Sequence, residues 1–105
     1  MPVEKVNEAA FAERLNSDPK IMVKFYADWC GSCKLFAPKY KRLSNDDTHS
    51  DITFLEINAE ENPEARQRAG VNNLPFFAAF SNGVLSAGGP TSKEEKVIEF
   101  MESLK

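Results

Sequence analysis

The sequence predicts an α/β fold in which a central mixed β-sheet is flanked by four helices. Apolar runs of strand length alternate along the chain with segments whose apolar residues recur at helical spacing. The last two strand-like runs are joined by Asn82-Gly83, a sequence typical of a two-residue hairpin turn. The resulting order, β-α-β-α-β-α-β-β-α, implies parallel pairing through helical crossovers, followed by one antiparallel hairpin.

The first elements are a short strand, a helix and a longer strand. Residues 3–6 are the first strand candidate, and the helix predicted for residues 7–17 places Phe11 and Leu15 one turn apart. Residues 21–27 are nearly all apolar, which predicts a central strand buried on both faces.

A second helix is predicted to begin near Cys30. Pro38 lies inside it, and because proline has no backbone N–H we expect a kink there. The apolar residues assigned to its buried stripe are Leu35, Phe36, Tyr40 and Leu43.

The middle of the chain continues the alternation. Residues 52–59 predict a second buried strand, and a short helix begins at Pro63, where the missing N–H of proline costs nothing. Gly70 is the expected end of that helix. Residues 76–80 form the next predicted strand, and residues 84–87 form a short return strand.

Thr91 and Glu94 have the spacing of a capping box, which predicts the start of the last helix. The apolar stripe of this helix is formed by Val97, Phe100, Met101 and Leu104.

Composition limits the function classes. A chain of 105 residues is expected to form a single domain, residues 1–105, and its 42 % hydrophobic and 28 % charged residues are typical of globular proteins. The net charge of −3, with scattered Lys and Arg, gives no reason to expect a nucleic-acid partner. No apolar run approaches the roughly 20 residues needed to span a bilayer, so we expect no membrane association.

Cysteine usage indicates the compartment. Residues 1–5 lack the basic start and apolar stretch of a secretory signal, and the chain has two cysteines. Both observations favour a cytoplasmic location, where thiols are kept reduced.

The two cysteines, Cys30 and Cys33, are the strongest chemical signal. Their spacing lets both sulfurs meet across one turn at the start of the second helix. A helix N-terminus carries unsatisfied N–H groups and a partial positive charge, which favour an anion. We therefore expect the pKa of the Cys30 thiol to lie below its usual value and the pair to act as a dithiol–disulfide switch.

Other uses of this pair are less consistent with the sequence. A structural zinc site needs four ligands, and the chain adds only His49, so we assign no metal. A zinc or iron–sulfur site shared between two chains is the remaining metal alternative. A purely structural bridge closing so short a loop would remove little unfolded-state entropy.

The sequence resembles the thioredoxin family nearly end to end. The segments that carry the resemblance are residues 25–34 (Phe-Tyr-Ala-Asp-Trp-Cys-Gly-Ser-Cys-Lys), 37–38, 62–64, 71–75 (Val-Asn-Asn-Leu-Pro), 80–83 and the final helix. The resemblance implies a thioredoxin fold with a cis peptide bond before Pro75, facing the disulfide. The residues alone favour a trans bond there, because cis is rare even before proline.

We expect Cys30, the exposed N-terminal member of the pair, to attack a substrate disulfide as the thiolate and to form a mixed disulfide. Cys33 then attacks the Cys30 sulfur, which releases the reduced substrate and leaves a Cys30–Cys33 disulfide. Trp29 is expected to contribute an apolar docking surface, with core packing as the alternative. The resemblance adds Leu74 and Pro75, which present backbone groups to an extended substrate segment.

The substrate-binding set also includes the two residues between the cysteines, Gly31 and Ser32. Ser32 stands where thioredoxins usually carry proline. We expect a less rigid loop, in which the Ser32 hydroxyl or N–H donates a hydrogen bond to the Cys30 thiolate and raises the reduction potential. A glycine near the disulfide completes the docking groove in this family. Gly88 or Gly89 is expected to serve here, in a segment about two residues shorter than usual.

Lys24 stands where thioredoxins generally carry a buried Asp, and Glu56 stands at the position of its usual lysine partner. The pair is therefore predicted to be exchanged, with Lys24 opposite Glu56. We expect Glu56, or Lys24 if burial lowers its pKa, to transfer the proton of Cys33. A structural ion pair without a kinetic role is the alternative.

The sequence therefore predicts a protein-disulfide reductase of the thioredoxin type, acting as a monomer on disulfide-containing proteins. The chain lacks a Gly-rich nucleotide-binding turn, so it is expected to need no cofactor of its own. By family analogy, electrons come from a thioredoxin reductase that uses flavin and NADPH. The alternatives are a specialised disulfide isomerase and a non-catalytic binding module, and weak dimerisation around Trp29 stays open.

Overall fold

The computed structural model describes residues 3–105; Met1 and Pro2, the first residues of the stretch considered for a secretory signal, lie outside the described residues. The elements in chain order are β1 (Glu4–Lys5), α1 (Glu8–Ser17), β2 (Lys20–Tyr26), α2 (Gly31–Ser44), β3 (Thr53–Asn58), α3 (Pro63–Ala69), β4 (Phe76–Ser81), β5 (Val84–Pro90) and α4 (Glu94–Glu102). A short 3-10 turn, Asp47–His49, precedes β3. The predicted order of strands and helices is confirmed.

The five strands form one mixed sheet in the order β1-β3-β2-β4-β5. Strands β1 and β2 both pair with β3 in parallel, whereas β4 runs antiparallel to both β2 and β5. The expectation of a single antiparallel pairing was therefore wrong. Helix α3 has seven residues, about 10 Å, and is too short to carry the chain back along a strand of six residues, about 20 Å. The chain consequently begins β4 at the same end of the sheet at which it left β3, and β4 runs in the opposite direction.

Each face of the sheet packs against two helices. One core contains the buried side chains of α1 and α3, namely Phe11, Leu15, Ala65 and Ala69. The other core contains those of α2 and α4, namely Phe36, Tyr40, Leu43, Val97, Phe100 and Met101. Strand β2 contributes to both cores in alternation, as expected for a strand buried on both faces.

This alternation determines where two charged residues lie. Met22 and Phe54 belong to the core beneath α2. Lys24 and Glu56 lie two residues further along β2 and β3, and since side chains alternate along a strand they occupy the same face. Both charged groups therefore lie under α2.

Local signals set most of the element ends. The Asn7 side chain accepts a hydrogen bond from the Ala10 N–H at 2.9 Å and caps α1. Gly70 ends α3 with a positive φ of 73°. Asn82 and Gly83 both have positive φ, at 50° and 82°, in the predicted turn between β4 and β5.

Two expectations about helices were wrong. Leu35 is 78 % exposed, because the line of buried α2 residues runs through Cys33, Phe36 and Tyr40 and leaves Leu35 about 100° around the helix axis from Phe36. The capping box was also wrong. Lys93 is the N-cap of α4, and its own N–H donates to the Thr91 hydroxyl at 3.1 Å. The Thr91 hydroxyl therefore accepts a hydrogen bond from a residue before the first turn of the helix.

Helix α2 continues through Pro38, and the kink stays a prediction. Strand β5 extends to Pro90, beyond the predicted end at residue 87. No helix among residues 3–105 is long and apolar enough to cross a membrane.

Candidate active site

Cys30 and Cys33 form a disulfide at the start of α2, with their Cα atoms 5.3 Å apart. Strand β2 ends at Tyr26, and the Cys30 N–H donates to the Ala27 carbonyl at 3.1 Å, which turns the chain into the helix. Cys30 is the N-cap residue, and its sulfur accepts a hydrogen bond from the Cys33 N–H at 3.1 Å. A free N–H of the first helical turn thus points at the Cys30 sulfur.

The disulfide is more enclosed than the sequence suggested. Cys30 is 4 % exposed and Cys33 is 2 % exposed, so the expectation of an exposed Cys30 was wrong for the disulfide form. Both sulfur-bearing residues pack with Ala27 and against the partly buried Tyr26 and Leu74.

The residues beside the disulfide remain accessible. Trp29 is 68 % exposed, which excludes the core-packing alternative for its side chain. Gly31 and Ser32 are also exposed. The Ser32 hydroxyl oxygen lies 3.6 Å from the Cys30 sulfur, close to hydrogen-bonding range for a sulfur acceptor.

The segment before β4 approaches the disulfide from the other side. The Leu74–Pro75 peptide bond is cis, as the family resemblance implied. Leu74 packs against the disulfide, and its N–H donates to the Asn73 side-chain oxygen at 2.9 Å. The Pro75 carbonyl accepts from the Thr91 N–H at 3.2 Å, which links this segment to the end of β5.

Gly88 and Gly89 lie within β5, beyond residue 87, where the sequence placed the end of that strand. Gly88 pairs with Ala78, and a Cβ atom at Gly88 would lie 2.8 Å from the Phe77 carbonyl oxygen. Gly88 is therefore required for close packing of β5 on β4. A Cβ at Gly89 would make an ordinary contact of 3.5 Å with the Phe100 ring.

Lys24 and Glu56 are register partners on β2 and β3, as predicted. Together with Cys33 they line a cavity of about 210 Å³ beneath the disulfide. The other residues lining it are Lys5, Tyr26, Ala27, Asp28, Lys34 and Ala37. The exchanged pair is thus brought to the inner cysteine.

The exchanged pair does not form an ion pair. Within residues 3–105 the ion pair of Glu56 is with Lys5, at 4.0 Å, and none joins Glu56 to Lys24 within 4 Å. Lys24 is 3 % exposed, and burial lowers the pKa of its ammonium group, while the charge of Glu56 opposes this shift. The alternative of a structural Lys24–Glu56 ion pair was therefore wrong.

Glu56 lies between two cavities. A second cavity of about 380 Å³ is lined by Val3, Tyr40 and Lys41, and it shares Ala37 and Glu56 with the first. The Glu56 side chain is 18 % exposed. One carboxylate therefore borders both the space beside Cys33 and a route toward solvent.

Lys5 is a cavity residue that was not predicted from the sequence. Lys5 reaches the cavity because it pairs with Glu56 in the β1–β3 register, and that pairing has no local sequence signal. In the part of the chain that the structure describes, no group of three or more His, Cys, Asp or Glu side chains is placed to hold a metal ion.

Comparison with known proteins identifies the family. A sequence model of the thioredoxin family matches residues 2–103. Thioredoxin-1 of Schizosaccharomyces pombe is 37 % identical over 82 residues, which cover 77 % of this chain and 78 % of that protein. The thioredoxin of Rickettsia bellii is 34 % identical over 79 residues, which cover 74 % of each chain. A putative protein disulfide-isomerase of S. pombe is 31 % identical over 94 % of this chain, which spans only 20 % of that protein.

Solved structures give the same fold. Plasmodium falciparum thioredoxin superimposes with a TM-score of 0.87 at 23 % identity and covers 97 % of this chain and 99 % of its own. A chain in the complex of ferredoxin:thioredoxin reductase with thioredoxin f2 gives a TM-score of 0.86 at 25 % identity, covering 97 % of this chain and 94 % of its own. With its five-stranded mixed sheet, four helices and a disulfide at the N-terminus of α2, the chain belongs to the thioredoxin family and is a thiol–disulfide oxidoreductase that acts on protein disulfides.

Proposed function

We propose that the chain reduces protein disulfides, with Cys30 as the nucleophile and Cys33 as the resolving residue. The Cys30 thiolate attacks one substrate sulfur, and the other substrate sulfur leaves as a thiolate. The Cys33 thiolate then attacks the Cys30 sulfur, which expels the substrate as a dithiol. The observation that carries this assignment is the Cys33 N–H, which donates to the Cys30 sulfur at 3.1 Å and would stabilise a Cys30 thiolate.

Single cysteine variants test the assignment. Cys33→Ser is expected to accumulate a stable mixed disulfide with a disulfide-containing protein such as insulin, because the resolving thiolate is missing. Cys30→Ser is the matched control and is expected to trap little substrate. If Cys30→Ser trapped substrate and Cys33→Ser did not, the two roles would have to be exchanged.

Glu56 is proposed to take up the Cys33 proton during the resolving step. The proton passes from the Cys33 thiol through the shared cavity to the Glu56 carboxylate and then to solvent. The position of Glu56 between the two cavities supports this role. Lys24 is proposed to assist the resolving step in a different way, because a buried cation at the same cavity stabilises the Cys33 thiolate.

Glu56→Gln tests the proton transfer while preserving the shape of the side chain. In single-turnover reduction we expect the first exchange step to be unchanged. Below neutral pH the resolving step is expected to slow by about 10-fold or more. This is at or somewhat below the smallest rate effects typical of general-base catalysis, which are about 100-fold. Lys5→Met is the control for the local charge. A variant with the wild-type rate and pH profile would exclude Glu56, and Lys24 would then be the remaining candidate.

The remaining assignments concern the surroundings of the reaction. The chain is proposed to be a cytoplasmic monomer of one domain that carries electrons from a thioredoxin reductase to protein disulfides and so maintains cellular redox balance. Likeness to a thioredoxin solved in complex with its reductase supports that partner. The proposed substrate contacts are Trp29, Gly31, Ser32, Leu74, Pro75 and one of Gly88 and Gly89.

A disulfide isomerase is the second candidate, favoured by the 31 % identity to the putative isomerase of S. pombe. The reduction potential separates the two functions. A value near roughly −180 to −120 mV would indicate an isomerase or oxidant, and a value near roughly −270 mV would indicate a reductant.

A further inference from the structure

The outer face of α2 has a charge composition found in no other helix of the described chain. Helix α2 contains Lys34, Lys39, Lys41 and Arg42 and no acidic residue, although the whole chain has a net charge of −3. Helices α1, α3 and α4 all contain Glu. The one helix that begins at the disulfide is therefore the basic one.

These cations are exposed, and one of the four forms an ion pair with a described residue. All four side chains are exposed and lie outside the buried stripe of α2: Lys34 and Lys41 lie on the flank that borders the two cavities, Lys39 lies on the other flank, and Arg42 lies between them. Arg42 pairs with Glu94 at 2.8 Å. Lys34, Lys39 and Lys41 form no ion pair within 4 Å among residues 3–105, and the Lys39 ammonium group lies 5.8 Å from the centre of the Phe36 ring.

An apolar side chain lies among these cations. Leu35 is 78 % exposed, the highest value among the exposed large apolar residues of the described chain, and it stands two positions after Cys33. A single exposed leucine is ordinary on a protein surface. Here, however, it adjoins Lys34 and lies one helical turn before Lys39, so it would contact any protein that those lysines attract.

We propose that this basic face, formed by Lys34, Leu35, Lys39 and Lys41, is a docking surface for proteins whose reactive disulfide is bordered by Asp or Glu. The inference rests on the proposed reductase function and adds a substrate class to it. Carboxylates beside the partner's disulfide pair with the lysines, and an apolar side chain of the partner covers Leu35. The face begins beside the disulfide, since Lys34 directly follows Cys33 in α2.

Charge complementarity of this kind acts mainly on the rate of encounter. Lys39 lies six residues after Cys33, about 9 Å along the helix axis. That distance is close to the screening length of about 10 Å at 0.1 M salt. The preference for acidic partners should therefore be strong in dilute buffer and weak at high ionic strength.

Two synthetic peptide disulfides test the proposal. They are identical except that the residues flanking the cysteines are Asp in one and Lys in the other. The rate constant for reduction by the dithiol protein is divided by the rate constant with dithiothreitol, which removes differences in intrinsic reactivity. We expect the acidic peptide to react about fivefold or more faster at low salt, and the ratio to approach one at high salt.

Lys39→Glu and Arg68→Glu are matched charge reversals. Arg68 is exposed on α3, which packs on the opposite face of the sheet. Lys39→Glu is expected to lower the acidic-to-basic ratio about threefold or more, and Arg68→Glu should leave it nearly unchanged. Equal effects of the two variants would attribute the preference to net charge and overturn the proposal, as would equal rates for the two wild-type peptides.

The outcome is distinguishable from failure of the proposed function. Hydroxyethyl disulfide is small and uncharged, and the wild type and both variants should reduce it at equal rates. Loss of that reaction in the wild-type protein would refute the reductase function itself. Tight, lysine-dependent binding of a short DNA duplex, with no preference between the peptides, would assign the face to nucleic acid and overturn the proposal.

Discussion

Replacing Tyr40 with phenylalanine tests how firmly β2 and β3 are held together beneath the disulfide. Tyr40 is fully buried, and its hydroxyl lies 2.9 Å from the Met22 carbonyl oxygen and 2.8 Å from that of Leu55. One O–H is thus shared between the two strands that carry Lys24 and Glu56. Phenylalanine keeps the ring contacts of Tyr40 within the core and removes only this donor.

The expected loss of stability follows from these contacts. A hydrogen bond contributes about 0.5–1.5 kcal/mol, and leaving a buried partner unsatisfied raises the loss toward about 1–3 kcal/mol. Because one proton serves two carbonyl oxygens, we expect a loss of about 1–2 kcal/mol for Tyr40→Phe. For a domain of this size that corresponds to a fall in Tm of about 5–15 °C.

Urea unfolding of the oxidised protein, followed by circular dichroism and Trp29 fluorescence, is the assay. With an m value of about 1–3 kcal/mol/M, the midpoint should fall by roughly 0.3–2 M. Tyr26→Phe is the matched control, since the half-buried Tyr26 hydroxyl makes no hydrogen bond with residues 3–105. If Tyr40→Phe shifted the midpoint no more than Tyr26→Phe did, with m unchanged, the bridging role would be refuted.

Three further predictions concern the site and its support. Burial holds the pKa of Lys24 in the folded protein below the unfolded value of 10.5. At pH values between the folded and the unfolded pKa the unfolded chain binds more protons, so the free energy of unfolding of the wild type rises with pH. Lys24→Met should abolish that rise and stabilise the protein near neutral pH, which urea unfolding at several pH values checks; an unchanged pH slope would contradict it. Gly88→Ala should cost about 1–3 kcal/mol, because its Cβ would lie 2.8 Å from the Phe77 carbonyl oxygen, and a thermal midpoint within error of wild type would show that β5 simply moves aside. The Ser32 hydroxyl favours the thiolate, so the reduction potential should lie above the roughly −270 mV taken here as the reference value for thioredoxin, and Ser32→Pro should lower it; equilibration with dithiothreitol measures both, and a wild-type value at or below the reference would refute the argument.

The sequence predicts the fold best where a residue has a conformational reason to stand at its position. Asn7 caps a helix, Gly70 adopts a left-handed conformation after one, and Asn82-Gly83 supplies the two positive φ angles of a hairpin turn. Each of these signals acts between residues close in sequence. The direction of β4 has no such signal, because it depends on whether α3 is long enough to return the chain along the strands to the opposite end of the sheet.

The site is predictable to the same extent. The cysteine spacing indicates the redox chemistry, and the family resemblance supplies the cis bond before Pro75 and the register of Lys24 with Glu56. Lys5 joins the cavity only through pairing of distant strands. Whether the exchanged pair makes direct contact depends on side-chain reach within a folded cavity, which residue identity does not determine.

The disulfide cluster is separate from both cores, and this separation has a thermodynamic consequence. Cys30, Cys33 and Ala27 belong to neither helix–sheet core, and Leu74, which packs against them, also packs against the core of α1 and α3. Cleaving the sulfur–sulfur bond therefore removes no buried member of either large core. In a closed cycle of folding and reduction, the free energy of unfolding of the oxidised form minus that of the reduced form equals 2F times the potential of the unfolded cysteines minus that of the native couple. The potential of this protein is accordingly set by the groups around the disulfide, including Ser32, Leu74 and Lys24. A substitution deep in either core that weakens both redox forms equally changes how stable the protein is without changing how readily it gives up its electrons.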